Sequence, residues 1–200
     1  MALNKEPILK RCRYLGISPM VMGISKESNR FKGAGANNRK KVSEYGMQLK
    51  EKQKLKFIYG VMEEPFRKYF EIASKMEGKT GDNLITILES RLDNAVYRMG
   101  LALTRREARQ LVTHRHFTVN GKRINIPSYR LKVGDVVALH EGSRSSAKFK
   151  DVLEQTASRT VPMWLEPNKA EFSAKVARMP AVEDIDYETE TRLVVELYSK

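Results

Sequence analysis
Between residues 104 and 124 the apolar period changes from helical to strand-like, and that change limits the chain to a helix followed by a β-hairpin. Thr104-Arg105-Arg106-Glu107 has the form of a capping box, in which threonine and glutamate side chains satisfy open backbone donors at a helix start. Leu103 and Ala108 stand where a weak hydrophobic staple would close it, and Ala108, Leu111 and Val112 face inward. After His114-Arg115-His116 the period becomes two. Residues 117–124 read as two strand ends joined by Asn120-Gly121, a dipeptide suited to the tight hairpin turn because both positions tolerate positive φ. Pro127 ends that segment. Residues 129–133 read as a further short strand, closed by Gly134-Asp135, and residues 136–139 as the last of the group.

The flanks are mainly helical. Ser43 can cap a helix running from Glu44 to about Met62. Pro65 suits the first turn of a second, whose Phe66, Tyr69, Phe70 and Ala73 form a core stripe. Gly78-Lys79-Thr80-Gly81 breaks the pattern and lacks the Gly-Lys-Ser/Thr ending of a phosphate-binding loop. Asp82 then caps a third helix, expected to continue to Gly100. Residues 1–42 read as an irregular basic arm, ordered only against a phosphate backbone. Residues 143–146 read as a loop, 151–158 as a helix, Trp164 as a packing anchor and 181–190 as an acidic loop. Residues 192–200 read as a strand-like tail docking on the fold. The fold class is α+β. The expected divisions are a basic arm (1–42), a helical domain (43–90), a helix-and-hairpin domain (91–155) and a C-terminal segment packing back on the fold (156–200).

Charge points to the partner. The formal net charge is +13, gathered into two blocks: residues 1–60 hold 14 Lys/Arg against 4 Asp/Glu, and residues 91–153 hold 13 against 5. Such a surface repels itself unless a polyanion covers it. Lys50, Lys52, Lys54 and Lys56 crowd one helix, with 50 and 54 on a common face, a repulsion that clamping between RNA strands would neutralise. Arg105, Arg106 and Arg109 cluster near the start of the capped helix, where free N–H groups also favour anions. One cysteine, Cys12, excludes an internal disulfide and a thiolate zinc cluster, and His114 and His116 have no paired carboxylate beside them. No apolar run reaches the ~20 residues that cross a bilayer, and the first residues lack the apolar core of a secretory signal, so an intracellular protein is expected.

Three stretches in order, Arg91-Leu92-Asp93-Asn94-Ala95-Val96-Tyr97-Arg98-Met99-Gly100, the helix at 104–112 and Val119-Asn120-Gly121-Lys122, closely resemble the bacterial small-subunit ribosomal protein S4 family. Residues 43–54, 58–61 and 195–200 are similar to the same family, so the resemblance covers about residues 33–200. It implies a mainly helical domain with an inserted RNA-binding domain of helices on a small antiparallel sheet. It implies a structural protein of the small ribosomal subunit, not an enzyme, that works in the cytoplasm or in an organelle's ribosome. Such a protein binds small-subunit ribosomal RNA early in assembly of the subunit body and influences decoding accuracy with protein S5. With proteins S3 and S5 it lines the messenger RNA entrance.

On that resemblance Arg39, Lys40 and Lys41 are candidates for the entrance. Lys50, Lys54, Arg91, Arg98, Arg105, Arg106, Arg109, Gln110, His114, Asn120, Lys122 and Arg123 are candidates for ribosomal RNA. Many relatives carry a four-cysteine zinc knuckle at the N-terminus. With Cys12 alone this chain is a zinc-free variant, and no cofactor is expected. An RNA-modifying enzyme carrying this domain would need a nucleophile–base pair or a cofactor loop, and neither motif occurs. A membrane-surface protein would need one broad apolar face opposite its lysines, which the helix at 44–62 lacks.

Overall fold
The structure is a computed structural model, described here for residues 6–26, 43–168 and 170–199. Its helices are α1 (Ile8–Leu15), α2 (Glu44–Ile58), α3 (Glu63–Lys75), α4 (Thr80–Glu89), α5 (Leu92–Arg98), α6 (Arg105–Thr113), α7 (Glu141–Arg144), α8 (Ala147–Thr156) and α9 (Thr191–Tyr198). Its strands are β1 (Phe117–Val119), β2 (Lys122–Arg123), β3 (Val136–Leu139), β4 (Leu165–Asn168) and β5 (Ser173–Val176). The described residues fall into two compact units, one drawn from residues 1–68 and 186–200, the other from 69–185. The second unit is thus an insertion in the sequence of the first.

The first unit is helical. Ile8, Cys12 and Leu15 follow a helical period, and α1 buries Cys12 and Leu15 before Gly16 turns left-handed at φ +74°. A helix therefore replaces part of the expected irregular arm. Ser43 caps α2 as expected, its Oγ accepting from the Gly46 N–H at 3.2 Å, but the helix ends at Ile58. The expected terminal strand is also a helix. In α9, Val194, Leu197 and Tyr198 stand at i, i+3 and i+4, Val194 is fully buried, and the Tyr198 ring stacks on Phe66 at 6.3 Å. Glu63 binds these helices together. Its carboxylate accepts from Lys52 Nζ at 2.9 Å, Tyr198 Oη at 2.9 Å and Lys56 Nζ. Burial pushes the Glu63 carboxyl up, but those three donors outweigh it and hold the pKa at about 2.

The second unit packs helices on an antiparallel sheet of order β2-β1-β3-β5-β4. Leu92, Val96, Leu111, Val112, Phe117, Val137, Leu139, Phe149, Trp164 and Val176 share its core, so Trp164 is the expected anchor. Asn120 at φ 51° and Gly121 at φ 78° make the hairpin turn, pairing Thr118 with Arg123 and Val119 with Lys122. The single helix expected from Asp82 to Gly100 is broken at Arg91, which is extended. Residues 127–131 cause the break by taking its backbone bonds. The N–H of Leu92 donates to Tyr129 O, that of Asp93 to Pro127 O, and that of Leu131 to Ser90 O. The strand expected at 129–133 is reduced to one bridge, Arg91 to Arg130. The capping box at α6 is also shifted. Thr104 Oγ1 accepts from the Glu107 N–H at 3.1 Å, but the Glu107 carboxylate reaches back to the N–H of Leu103 at 2.9 Å. The hairpin of β4 and β5 had no counterpart in the sequence reading, because Pro167 and the charged residues near it break its alternation.

Candidate nucleic-acid interface
Arg91, Arg98 and Arg105, around α5 and the start of α6, are held inward by buried acceptors: Asp93 for Arg91, Glu89 for Arg98 and the Asn94 amide for Arg105. Arg98 grips Glu89 with two hydrogen bonds, 3.1 Å from Nε and 2.9 Å from Nη2, and Glu89 is fully buried. Asn94 Nδ2 donates to the same carboxylate at 2.7 Å, and Asn94 Oδ1 accepts from Arg105 Nε at 2.8 Å. Arg105 lies over the Tyr97 ring at 4.3 Å, as does Arg159, whose Nη1 also donates to the carbonyls of Tyr97 and Ala102. Arg91 forms a second two-pronged pair, with Asp93, and donates to Tyr69 Oη at 2.7 Å. Burial works against the Arg91 charge, yet Asp93 and Tyr69 outweigh it and raise the pKa. Arg91, Arg98 and Arg105 are 2%, 6% and 6% exposed. They are inside the unit, not on the face where the sequence reading set them.

The other candidates of this unit lie nearer the surface. Arg106 and Arg109 are half-buried on α6, and Gln110 is exposed. His114, which caps the C-terminus of that helix, is exposed, and Arg115 follows in the left-handed region at φ 64°. The N–H of Arg115 donates to Val112 O and that of His116 to Leu111 O, which ends the helix in a Schellman turn and leaves His114 and Arg115 exposed. Lys122 and Arg123 are exposed on the hairpin. Asn120 is exposed, but both ends of its amide are engaged: Nδ2 donates to Asp135 Oδ1 at 2.8 Å, and Oδ1 accepts from the Val136 N–H at 2.9 Å. It pins the turn to β3.

One group of residues was missed. Phe117 pairs with Leu139, so the next step along the ladder sets His116 opposite His140, whose N–H donates to His116 O at 2.8 Å. Arg123 Nη2 donates to His140 Nδ1 at 2.8 Å, and His116 Nδ1 meets Ser143 Oγ at 2.9 Å. The His114 and His116 rings are 6.3 Å apart. Burial, reinforced by the charges of His114, Lys148, Arg123 and His140, pushes the His116 imidazole down from its ordinary range. The signal that could have revealed this cluster was the antiparallel pairing of β1 with β3. Both segments are legible in the sequence, but their register is not.

In the first unit, Lys52 and Lys56 meet Glu63, and Lys54 meets Glu51 at 3.5 Å, so the chain's own carboxylates supply most of the neutralisation expected from RNA. Lys50 is half-buried on the same helix. Arg39, Lys40 and Lys41 lie outside the described residues. No described helix is long and apolar enough to cross a membrane. Among the described residues, no group of His, Cys, Asp and Glu could hold a metal ion.

The family model described as the ribosomal protein S4/S9 N-terminal domain matches residues 4–89, and that of the S4 domain matches residues 90–137. The chain is similar to small ribosomal subunit protein uS4 of Lachnospira eligens, with 53% identity over 201 residues and 100% of both chains covered. The protein of that name from Fusobacterium nucleatum is 50% identical over 200 residues, again with 100% of both covered. That of Acetivibrio thermocellus is 60% identical over 168 residues, 84% of this chain and 81% of the relative.

Proposed function
This chain belongs to the family of small ribosomal subunit protein uS4, and on that premise we propose that it binds small-subunit ribosomal RNA through the exposed cations of residues 106–123. The observation that carries this reading is the division of labour among its arginines. Arg91, Arg98 and Arg105 are buried with partners and stiffen the frame, while Arg115, Lys122 and Arg123 are exposed on a capped helix end and a tight hairpin. A cation held on a rigid element loses little freedom when it meets a phosphate, and arginine's flat fork can grip one with two hydrogen bonds. Arg106, Arg109, Gln110, His114 and Asn120 border that surface in sequence, and Lys50 and Lys54 are the contacts proposed for the first unit.

The role is binding rather than catalysis, exercised inside the small subunit. We assign the chain early attachment to ribosomal RNA during assembly of the subunit body. Contact with protein S5, with an effect on accuracy, and a share with protein S3 in the messenger RNA entrance through Arg39, Lys40 and Lys41 complete the reading. The family resemblance and the basic composition of residues 1–60 support this reading.

Filter-binding titration on a small-subunit ribosomal RNA transcript tests the RNA reading. Replacing Arg106, Arg109 and Lys122 together by alanine should weaken binding and flatten its dependence on the logarithm of salt by about two to three, since each neutralised phosphate contributes roughly 0.7–0.9. An unchanged slope would remove these positions from the interface.

A further inference from the structure
His114, His116 and His140 flank three separate elements, just after α6, just before β1 and just after β3, and converge beside Arg123 of β2 and Lys148 of α8. We propose that this cluster is a proton-linked clamp for an RNA phosphodiester: it binds phosphate more tightly as its histidines take up protons, and RNA binding draws those protons in. The inference rests on the RNA-binding reading above and names a site and a regulation that the reading does not contain.

His140 is the centre of the device. Its Nδ1 accepts two hydrogen bonds, from Arg123 Nη2 at 2.8 Å and from the N–H of Gly142 at 3.1 Å. Neither donor can accept a hydrogen bond in return, so Nδ1 presents a lone pair in this arrangement. In that state His140 caps α7 and holds the Arg123 guanidinium against itself. Protonating Nδ1 breaks both bonds, adds a positive charge and releases Arg123. The two changes act in one direction, toward an anion.

The surroundings are cationic. His116 approaches Ser143 Oγ at 2.9 Å and has the Phe149 ring at 5.7 Å on its other flank. Burial disfavours the charged form of His116, and His114, Lys148, Arg123 and His140 each disfavour it further. Glu141 follows His140 in the chain, and the Glu107 carboxylate is paired with Lys148 at 3.1 Å. A phosphate set among these groups reverses the sign of the local field and so favours the protonated imidazoles. By linkage, a group that binds its proton more tightly in the complex makes affinity rise as pH falls.

The test measures the affinity of the full chain for a small-subunit ribosomal RNA transcript between pH 8.0 and 6.0 at constant ionic strength. Calorimetry of the same reaction in buffers of differing ionisation enthalpy reads proton uptake. The comparison protein carries His116→Asn and His140→Asn. Asparagine keeps an acceptor near the Nδ1 position of residue 140 and cannot take the proton. The wild-type chain should bind about tenfold more tightly at pH 6.0 than at 8.0 and take up, on average across that range, about half a proton per complex. The variant should bind within about threefold of wild type at pH 8.0 and lose most of the pH response. Equal pH responses in the two proteins would overturn the proposal, as would zero proton uptake by the wild type, a result that does not depend on how the variant folds. Normal binding at pH 8.0 with either of those results leaves the RNA-binding reading standing. Absence of binding at every pH overturns both.

Discussion

Arg98 and Arg123 carry the same side chain into opposite environments. Arg98 faces Glu89, a carboxylate with no exposed surface, whereas Arg123 is exposed and donates to His140 Nδ1. Removing Arg98 leaves a buried negative charge short of its main partner, which typically costs about 3–5 kcal/mol. Removing Arg123 costs under about 1 kcal/mol, because water replaces what is lost. Arg98→Ala is therefore expected to lower the melting temperature by roughly 10 °C or more at neutral pH. Arg123→Ala should melt close to wild type and lose RNA affinity. Thermal denaturation and filter binding on the two variants separate the roles, and equal melting temperatures would refute the division. Single-residue chemistry could not reveal it from the sequence. Arg91, Arg98 and Arg105 read there as three more cations, and what reverses their role is the proximity of Asp93, Glu89 and Asn94, of which Glu89 lies beyond a helix break. Lys122, by contrast, was legible because a two-residue turn leaves its neighbours no room to fold over it.

At the scale of elements, legibility followed the strength of local signals. Ser43, Thr104 and Asn120-Gly121 each mark a boundary by a backbone requirement, and each boundary is found. The break at Arg91 and the helix at 191–198 were missed because tertiary partners decide them: residues 127–131 in one case, Phe66 and Glu63 in the other. Glu63 makes the second case measurable. It belongs to α3 and accepts from Lys52 and Lys56 of α2 and Tyr198 of α9, so three helices share one carboxylate. Its folded pKa is depressed from 4.5 to about 2. The unfolded chain therefore takes the proton first, and the stabilisation is complete above the unfolded value and lost as pH falls from about 4.5 toward 2. The melting temperature of wild type should fall across that window more steeply than that of Glu63→Gln, which already lacks the charge. Parallel curves for the two proteins would mean that the carboxylate does not hold these helices.

For the molecule as a whole, charge is the quantity that sequence and structure describe differently. The sequence counts 37 Lys/Arg against 24 Asp/Glu and places the excess in two blocks. The structure shows how much of that excess is already met within the chain, by Glu63 and Glu51 along α2 and by Glu89 and Asp93 beneath α5. Cations neutralised at home release no counterions from RNA, so the salt dependence of binding should report the exposed set and not the composition. If all 37 basic residues met phosphates, the slope of log affinity against log salt would be on the order of −30; an exposed set of about six gives roughly −4 to −5. A fourfold rise in salt should then weaken binding about three hundred- to a thousandfold. Heparin engages the same net charge without presenting phosphates in a fixed shape. At equal salt it should bind the chain more weakly than the ribosomal transcript does while showing a similar slope, because the difference lies in how many rigid forks find their geometry. A slope steeper than about −10 would mean that the buried arginines leave their carboxylates on binding, and equal affinity for heparin and transcript would mean that charge alone, without the frame, recruits this chain to RNA.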